Sequence, residues 1–218
     1  WADGVAGEVF DSSGMGNHAT STGNASSTTD QGKFGRSAGF DGTGDYIETG
    51  TNNESNFDFE RTDPFTFSAW IYSAGGLGAD QFIIAKAQNS GNYTGPYIFA
   101  GDNSHADKLA MTLQGTTSLY TAVVGTTDIL DSSWHHVVGV NLGNDGSASD
   151  IRLYVDGVLE SMSTDTDNLG SNTILNNVAV HIGSRDGGGV PFKGYIDDVK
   201  IYNRALSENE VMREYVSG

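Results

Sequence analysis

Three loops carry the mixture of side chains that sugar recognition needs. Asn89-Ser-Gly-Asn92-Tyr93-Thr-Gly-Pro96-Tyr97 and Asp102-Asn103-Ser-His105 combine aromatic rings with amides and carboxylates. A pyranose stacks its C–H face on a ring, while Asp, Asn and Arg satisfy its hydroxyls. Arg185-Asp186-Gly-Gly adds a charged pair in a chain where Arg is scarce. The candidate ligand-binding residues are therefore Asn92, Tyr93, Tyr97, Asp102, Asn103, Arg185 and Asp186, with Tyr93 as the exposed aromatic. Trp70 and Trp134 lie inside strand patterns and read as core.

Other constellations point away from catalysis. Glycoside hydrolysis needs two carboxylates converging on a cleft. The nearest cluster, Glu54-Ser-Asn-Phe-Asp58-Phe-Glu60, has the wrong spacing and reads as a solvated loop with Phe57 and Phe59 turned inward. His135 and His136 are adjacent on a strand pattern, so they point to opposite faces and do not share an ion. Asp165-Thr-Asp167-Asn-Leu169-Gly170 opens like a calcium loop, but Leu169 stands where an oxygen ligand is wanted and Asn176 where the bidentate Glu belongs, so it reads as a turn. Gly187-Gly188-Gly189 opens no helix, which excludes a dinucleotide loop.

Composition narrows the partners. The 218 residues carry 11 Lys+Arg against 28 Asp+Glu, a formal charge of −17. A nucleic-acid backbone needs a basic stripe, so nucleic acid is excluded as the expected partner. The acids are mostly Asp beside Gly, Asn and Ser. Hard oxygen ligands in such turns suit Ca²⁺, although Asp and Asn also favour turns for backbone reasons. The absence of Cys removes disulfides, thiolate metal sites and Cys nucleophiles. No apolar run approaches the roughly 18 residues of a membrane helix, so no direct membrane insertion is expected. The chain opens at Trp1 and reads as one domain, 1–218, excised from a larger protein whose neighbouring domains it would meet.

The elements that must position these loops are strands. Thirty Gly imply many tight turns. Phe65–Tyr72 alternates, with Phe65, Phe67, Ala69 and Ile71 on one face. Further strands are read at Trp134–Val140, Ile151–Val155, Val178–Gly183 and Tyr195–Tyr202. Asp156-Gly157 is a hairpin turn leading to Val158–Glu160. Gly39–Thr49, Phe82–Ala87, Tyr97–Ala100, Lys108–Leu113 and Tyr120–Val124 complete the set. Ser207 and Glu210 form a capping box for one short C-terminal helix. Many strands and almost no helix predict an all-β, two-sheet antiparallel jelly-roll sandwich.

Several segments together, in this order, resemble the laminin-G-like, concanavalin A-like jelly-roll family. They are Asp11-Ser-Ser-Gly14-Met-Gly16-Asn17-His18, Phe40-Asp41-Gly42 leading to Asp45-Tyr46-Ile47, Phe65–Ile71, Trp134-His135-His136-Val137, Leu153-Tyr154-Val155-Asp156-Gly157, Ile182-Gly183 and Phe192–Ser207. The resemblance implies two curved antiparallel sheets and, in many members, a Ca²⁺ at one edge. An acid of the final strand, an early Asp and main-chain carbonyls would hold it. Asp198 and Asp41 match those positions, and Asp45 is either a third ligand or the cap of its own turn. Alternation about Ile196 and Val199 turns Asp197 and Asp198 to opposite faces. The inward carboxylate then needs a cation or backbone N–H donors.

The family hosts lectins, adhesion modules and occasional catalytic domains. The expectation is a secreted or cell-surface, non-catalytic, Ca²⁺-associated carbohydrate-binding or adhesion module for a glycan or cell-surface polysaccharide. The alternatives are a structural or protein-binding spacer of a surface adhesin, or an accessory domain of a polysaccharide-active enzyme.

Overall fold

The computed structural model describes residues 8–28, 31–49, 54–73, 77–101 and 107–217. Short β-branched and aromatic runs between glycine turns pair into two antiparallel sheets. The first sheet has nine strands. In spatial order they are β1 (Glu8–Val9), β2 (Ala19–Thr22), β5 (Tyr46–Thr49), β15 (His181–Ile182), β7 (Gln81–Ala85), β8 (Gly95–Ala100), β9 (Lys108–Gln114), β10 (Tyr120–Asp128) and β14 (Ser163–Asp167). The second has seven: β13 (Val158–Leu159), β12 (Ile151–Val155), β11 (Trp134–Asn141), β6 (Phe65–Tyr72), β16 (Lys193–Tyr202), β4 (Ser37–Asp41) and β3 (Ser26–Thr28). One helix, α1 (Glu208–Ser217), follows. The chain is an all-β jelly-roll sandwich.

The core lies between the sheets. Phe65, Phe67, Ala69 and Ile71 of β6 all enter it, as their alternation dictates. The layers interdigitate closely. A Cβ placed on Gly139 of β11 would lie 2.6 Å from Ile98 of β8 and 2.9 Å from the Met111 sulfur of β9. A methyl group there has no room.

Each sheet also has an outer face, and the two are finished differently. Val138, Val140 and Tyr154 on the second sheet are covered by Leu206 and Val211. Trp70, 2 % exposed, is covered by Tyr215 of α1, whose ring stacks at 5.5 Å. Glu210 accepts hydrogen bonds from the Ser207 N–H (2.9 Å) and hydroxyl (2.8 Å), which closes the capping box. On the first sheet the outer residues Phe82, Tyr97, Phe99, Ala110 and Val124 form a separate apolar cluster, against which Val190 packs.

Three expectations shift. Gly39–Thr49 is two strands in different sheets, split by the turn at Asp41–Asp45. The Val178–Gly183 run pairs only over His181–Ile182. In β16 a bulge between Asp197 and Lys200 breaks the alternation, with Asp198 at φ +46°. Neither carboxylate turns into the core. Asp197 accepts the Phe34 N–H at 2.9 Å, and Asp198 pairs with Lys200 at 2.8 Å.

Candidate functional site

The candidate site is the loop-covered outer face of the first sheet. Its floor is three rings from two neighbouring strands. Phe82 lies 4.8 Å from Tyr97 and 5.5 Å from Phe99, centroid to centroid. Alternation along β8 sends Tyr97 and Phe99 outward while Ile98 and Ala100 join the core. The Tyr97 hydroxyl donates to the Gln114 side-chain oxygen at 2.5 Å. Burial pushes its phenol well above the usual range, against the pull of the Arg185 charge. Tyr97 is therefore a floor residue, not a contact open to solvent.

Two loops close over this floor. In residues 88–94, the Gln88 N–H donates to the Thr94 carbonyl at 3.1 Å, and Thr94 Oγ1 donates to the Gly115 carbonyl at 2.8 Å. That turn holds Tyr93 at φ +58°, half-buried, and leaves Asn89 and Asn92 exposed. In residues 184–190, Arg185 and Gly189 exchange backbone hydrogen bonds of 2.7 and 2.9 Å. The Arg185 guanidinium then lies 4.4 Å from the Tyr93 ring centre and 5.1 Å from that of Phe82. Its Nε donates to Asn89 Oδ1 at 3.3 Å. Such cation–π contacts strengthen as water is excluded.

Arg185 and Asp186 do not form the charged pair expected from their adjacency, because Arg185 is extended whereas Asp186 opens a 3-10 turn. Asp186 turns toward His181, 3.9 Å from Nε2. Sequence reasoning passed over His181 and Glu48. His181 is buried, accepts the Gly187 N–H at 3.4 Å and has Glu48 at 3.3 Å from the same nitrogen. The group anchors the 184–190 loop to β5 and β15. The available signal was the outward phase of Tyr46 and Glu48 about the core residue Ile47.

Asn89, Asn92, Tyr93 and Arg185 thus come together above Tyr97, with Asp186 on the inner side of the same loop. Asp102 and Asn103 lie outside the described residues. An open hollow of about 400 Å³ lies elsewhere, lined by Arg61, Asp145, Asp167 and Ser171 among others, and holds none of these residues.

The proposed cation ligands do not gather. Asp41 lies opposite Lys193 in the β4–β16 register, and Ala38 opposite Ile196. Asp198 is therefore five residues along the partner strand, about 16 Å away at roughly 3.3 Å per residue. Its carboxylate is held by Lys200, which also binds Glu214 at 2.5 Å. Asp45 is buried as a turn cap. One of its oxygens accepts the Asn24 N–H at 2.5 Å and the other the Asp41 N–H at 2.9 Å. Asp41 accepts the Thr43 N–H and hydroxyl at 2.8 and 2.7 Å. Those bonds, led by the Thr43 side chain, hold its carboxyl below the usual range. This donor set does not fit one shared Ca²⁺. Among the described residues no group of three or more acidic or His side chains is arranged to hold a metal.

The family described as the concanavalin A-like lectin/glucanases superfamily, of laminin-G type, matches residues 41–212. The chain belongs to this family. The adhesion G-protein coupled receptor V1 of Danio rerio is 26 % identical over 149 residues, 67 % of this chain and 2 % of that receptor. Solved structures with the same fold include toxin binding domains. That of Paraclostridial Mosquitocidal Protein 1 matches with TM-score 0.70 and 17 % identity, over 95 % of this chain and 49 % of that one. The botulinum neurotoxin serotype G binding domain matches at TM-score 0.64 and 15 % identity, over 95 % and 48 %. A botulinum neurotoxin type C structure, described by its dependence on two ganglioside molecules for cell entry, matches at 0.61 and 16 %, over 93 % and 47 %. The laminin-G-like chain thus spans about half of these toxin chains and a small part of the receptor.

Proposed function

We propose that this laminin-G-like domain is a non-catalytic carbohydrate-binding module that works outside the cell as part of a larger chain. The sugar docks on the rim formed by residues 88–94 and 184–190. One observation carries the reading: Arg185 is fixed over Tyr93 and bonded to Asn89 beside exposed Asn92. Planar hydrogen-bonding groups around a ring are what hydroxyl-rich ligands require. Sugar is held by side chains alone in this reading, and Asp41, Asp45 and Asp198 act within the framework. The family, the adhesion receptor among the relatives and the likeness to the binding domains of toxins support it. No described helix is long and apolar enough to cross a membrane.

The test is a glycan panel followed by amide chemical-shift mapping with any ligand found. Shifts concentrated at Asn89, Asn92, Tyr93 and Arg185, and at least tenfold weaker binding by a folded Tyr93→Ala variant, are expected. Shifts confined to the exposed Val158, Leu159, Met212 and Val216 around β13 and α1 would favour the protein-binding spacer instead.

A further inference from the structure

The geometry points to an acidic saccharide as the ligand, with its carboxylate taken by the outer edge of the Arg185 guanidinium. This rests on the sugar-binding reading above and specifies its substrate class.

Arg185 is held from three sides. Its backbone is clamped to Gly189, its Nε is bonded to Asn89, and its plane is packed over Tyr93 and Phe82. Gly189 is a condition of this arrangement, because a Cβ there would lie 2.0 Å from Asn89 Oδ1. The two Nη groups give no hydrogen bond to any described residue. Nor does any described carboxylate form an ion pair with them. Four other cations do meet carboxylates: Lys86 meets Asp58, Lys108 Asp128, Lys200 both Asp198 and Glu214, and Arg204 Glu210. With 28 acids against 11 bases, a counter-charge for Arg185 would be easy to supply. The adjacent acid, Asp186, instead lies on the His181 side of the loop, 3.9 Å from Nε2.

A guanidinium fixed by rings and by Nε presents its Nη donors as a planar fork. That fork matches a carboxylate bidentately. Neutral hydroxyls need no charge and are served equally well by Asn89 and Asn92. The exposed amides therefore take hydroxyls, and Arg185 takes the charged group of a hexuronic or other carboxylate-bearing sugar.

The experiment uses the whole chain and calorimetric titration with oligogalacturonate, hyaluronan oligomers and sialyllactose. Their carboxyl-reduced forms, neutral oligosaccharides and a sulfated oligosaccharide are run beside them. At least one acidic sugar is expected to bind, with at least a tenfold loss on carboxyl reduction. Arg185→Gln should abolish that difference, and Arg185→Lys should restore part of it, with melting curves unchanged in both. Equal binding of acidic and reduced forms, or an acid preference surviving in Arg185→Gln, would overturn the acidic class while leaving sugar binding intact. A sulfated ligand preferred over every carboxylate would overturn the carboxylate assignment. Silence across all saccharides would sink both readings together.

Discussion

Asp45 gives both carboxylate oxygens to backbone N–H groups, of Asn24 and Asp41, while almost wholly buried. Removing it strands two donors, and each unsatisfied buried group costs about 1–3 kcal/mol. Asp45→Ala should therefore lower unfolding free energy by about 2–4 kcal/mol in urea titration, equally with calcium and with chelator. A loss seen only with calcium would reassign Asp45 to an ion. The paired histidines make a second residue-scale case. Asp156 and then Asp131, against burial, raise the pKa of His135. Its contribution is complete below about pH 6.5 and is lost as pH rises through the raised folded value. Burial, aided by the Lys200 charge, lowers His136 to about 4, and its Nε2 meets the Ser68 hydroxyl at 2.9 Å. Unfolded His136 takes a proton near pH 6.5, whereas the folded ring does so only near 4, so stability falls as pH drops through that interval. The interval corresponds to about 3 kcal/mol. His136→Asn should flatten the acid limb of a melting-temperature profile, and His135→Asn the alkaline limb. Their opposite facing was legible from strand period alone. Their partners Asp156, Asp131 and Ser68 come from turns and a neighbouring strand, which period cannot place.

At the scale of elements, two glycines separate folding from binding. Gly183 has φ +80°, and a Cβ there would lie 2.2 Å from the Phe40 ring. Gly183→Ala combines backbone strain with core overpacking and should cost about 3 kcal/mol or more. Gly189 has an ordinary φ of −72° and an exposed neighbour, Asn89. Gly189→Ala should change the melting temperature little, yet part the two loops and weaken sugar binding at least tenfold. Unchanged affinity in that variant would show that the loop contact does not shape the site. The strands around these loops were readable where alternation was long and regular, as in Phe65–Tyr72. They were not where a single residue disturbs it. The bulge at Asp198 redirects two carboxylates, and with them the expected ion site, because one extra residue reverses which face every following side chain takes.

The whole molecule explains why one outer face is left for recognition. On the second sheet, α1 covers Trp70, Val138 and Val140; on the first, the aromatic floor lies under two short loops. Composition announced the sandwich but not this asymmetry, since strand patterns on both sheets are apolar and the helix signal does not say where the helix docks. Net charge adds a consequence of its own. At −17 the domain repels an acidic saccharide at long range, whereas Arg185 attracts it only on contact. The repulsion reaches about 30 Å at 10 mM salt and about 8 Å at 150 mM. Association with an acidic oligosaccharide should therefore speed up as salt is raised across that range, in stopped-flow or surface binding. Dissociation should change less, because the pair formed at Arg185 is short and partly shielded by Tyr93 and Phe82. A neutral sugar should show neither trend. An association rate that falls with salt would mean that a local positive field outweighs the net charge.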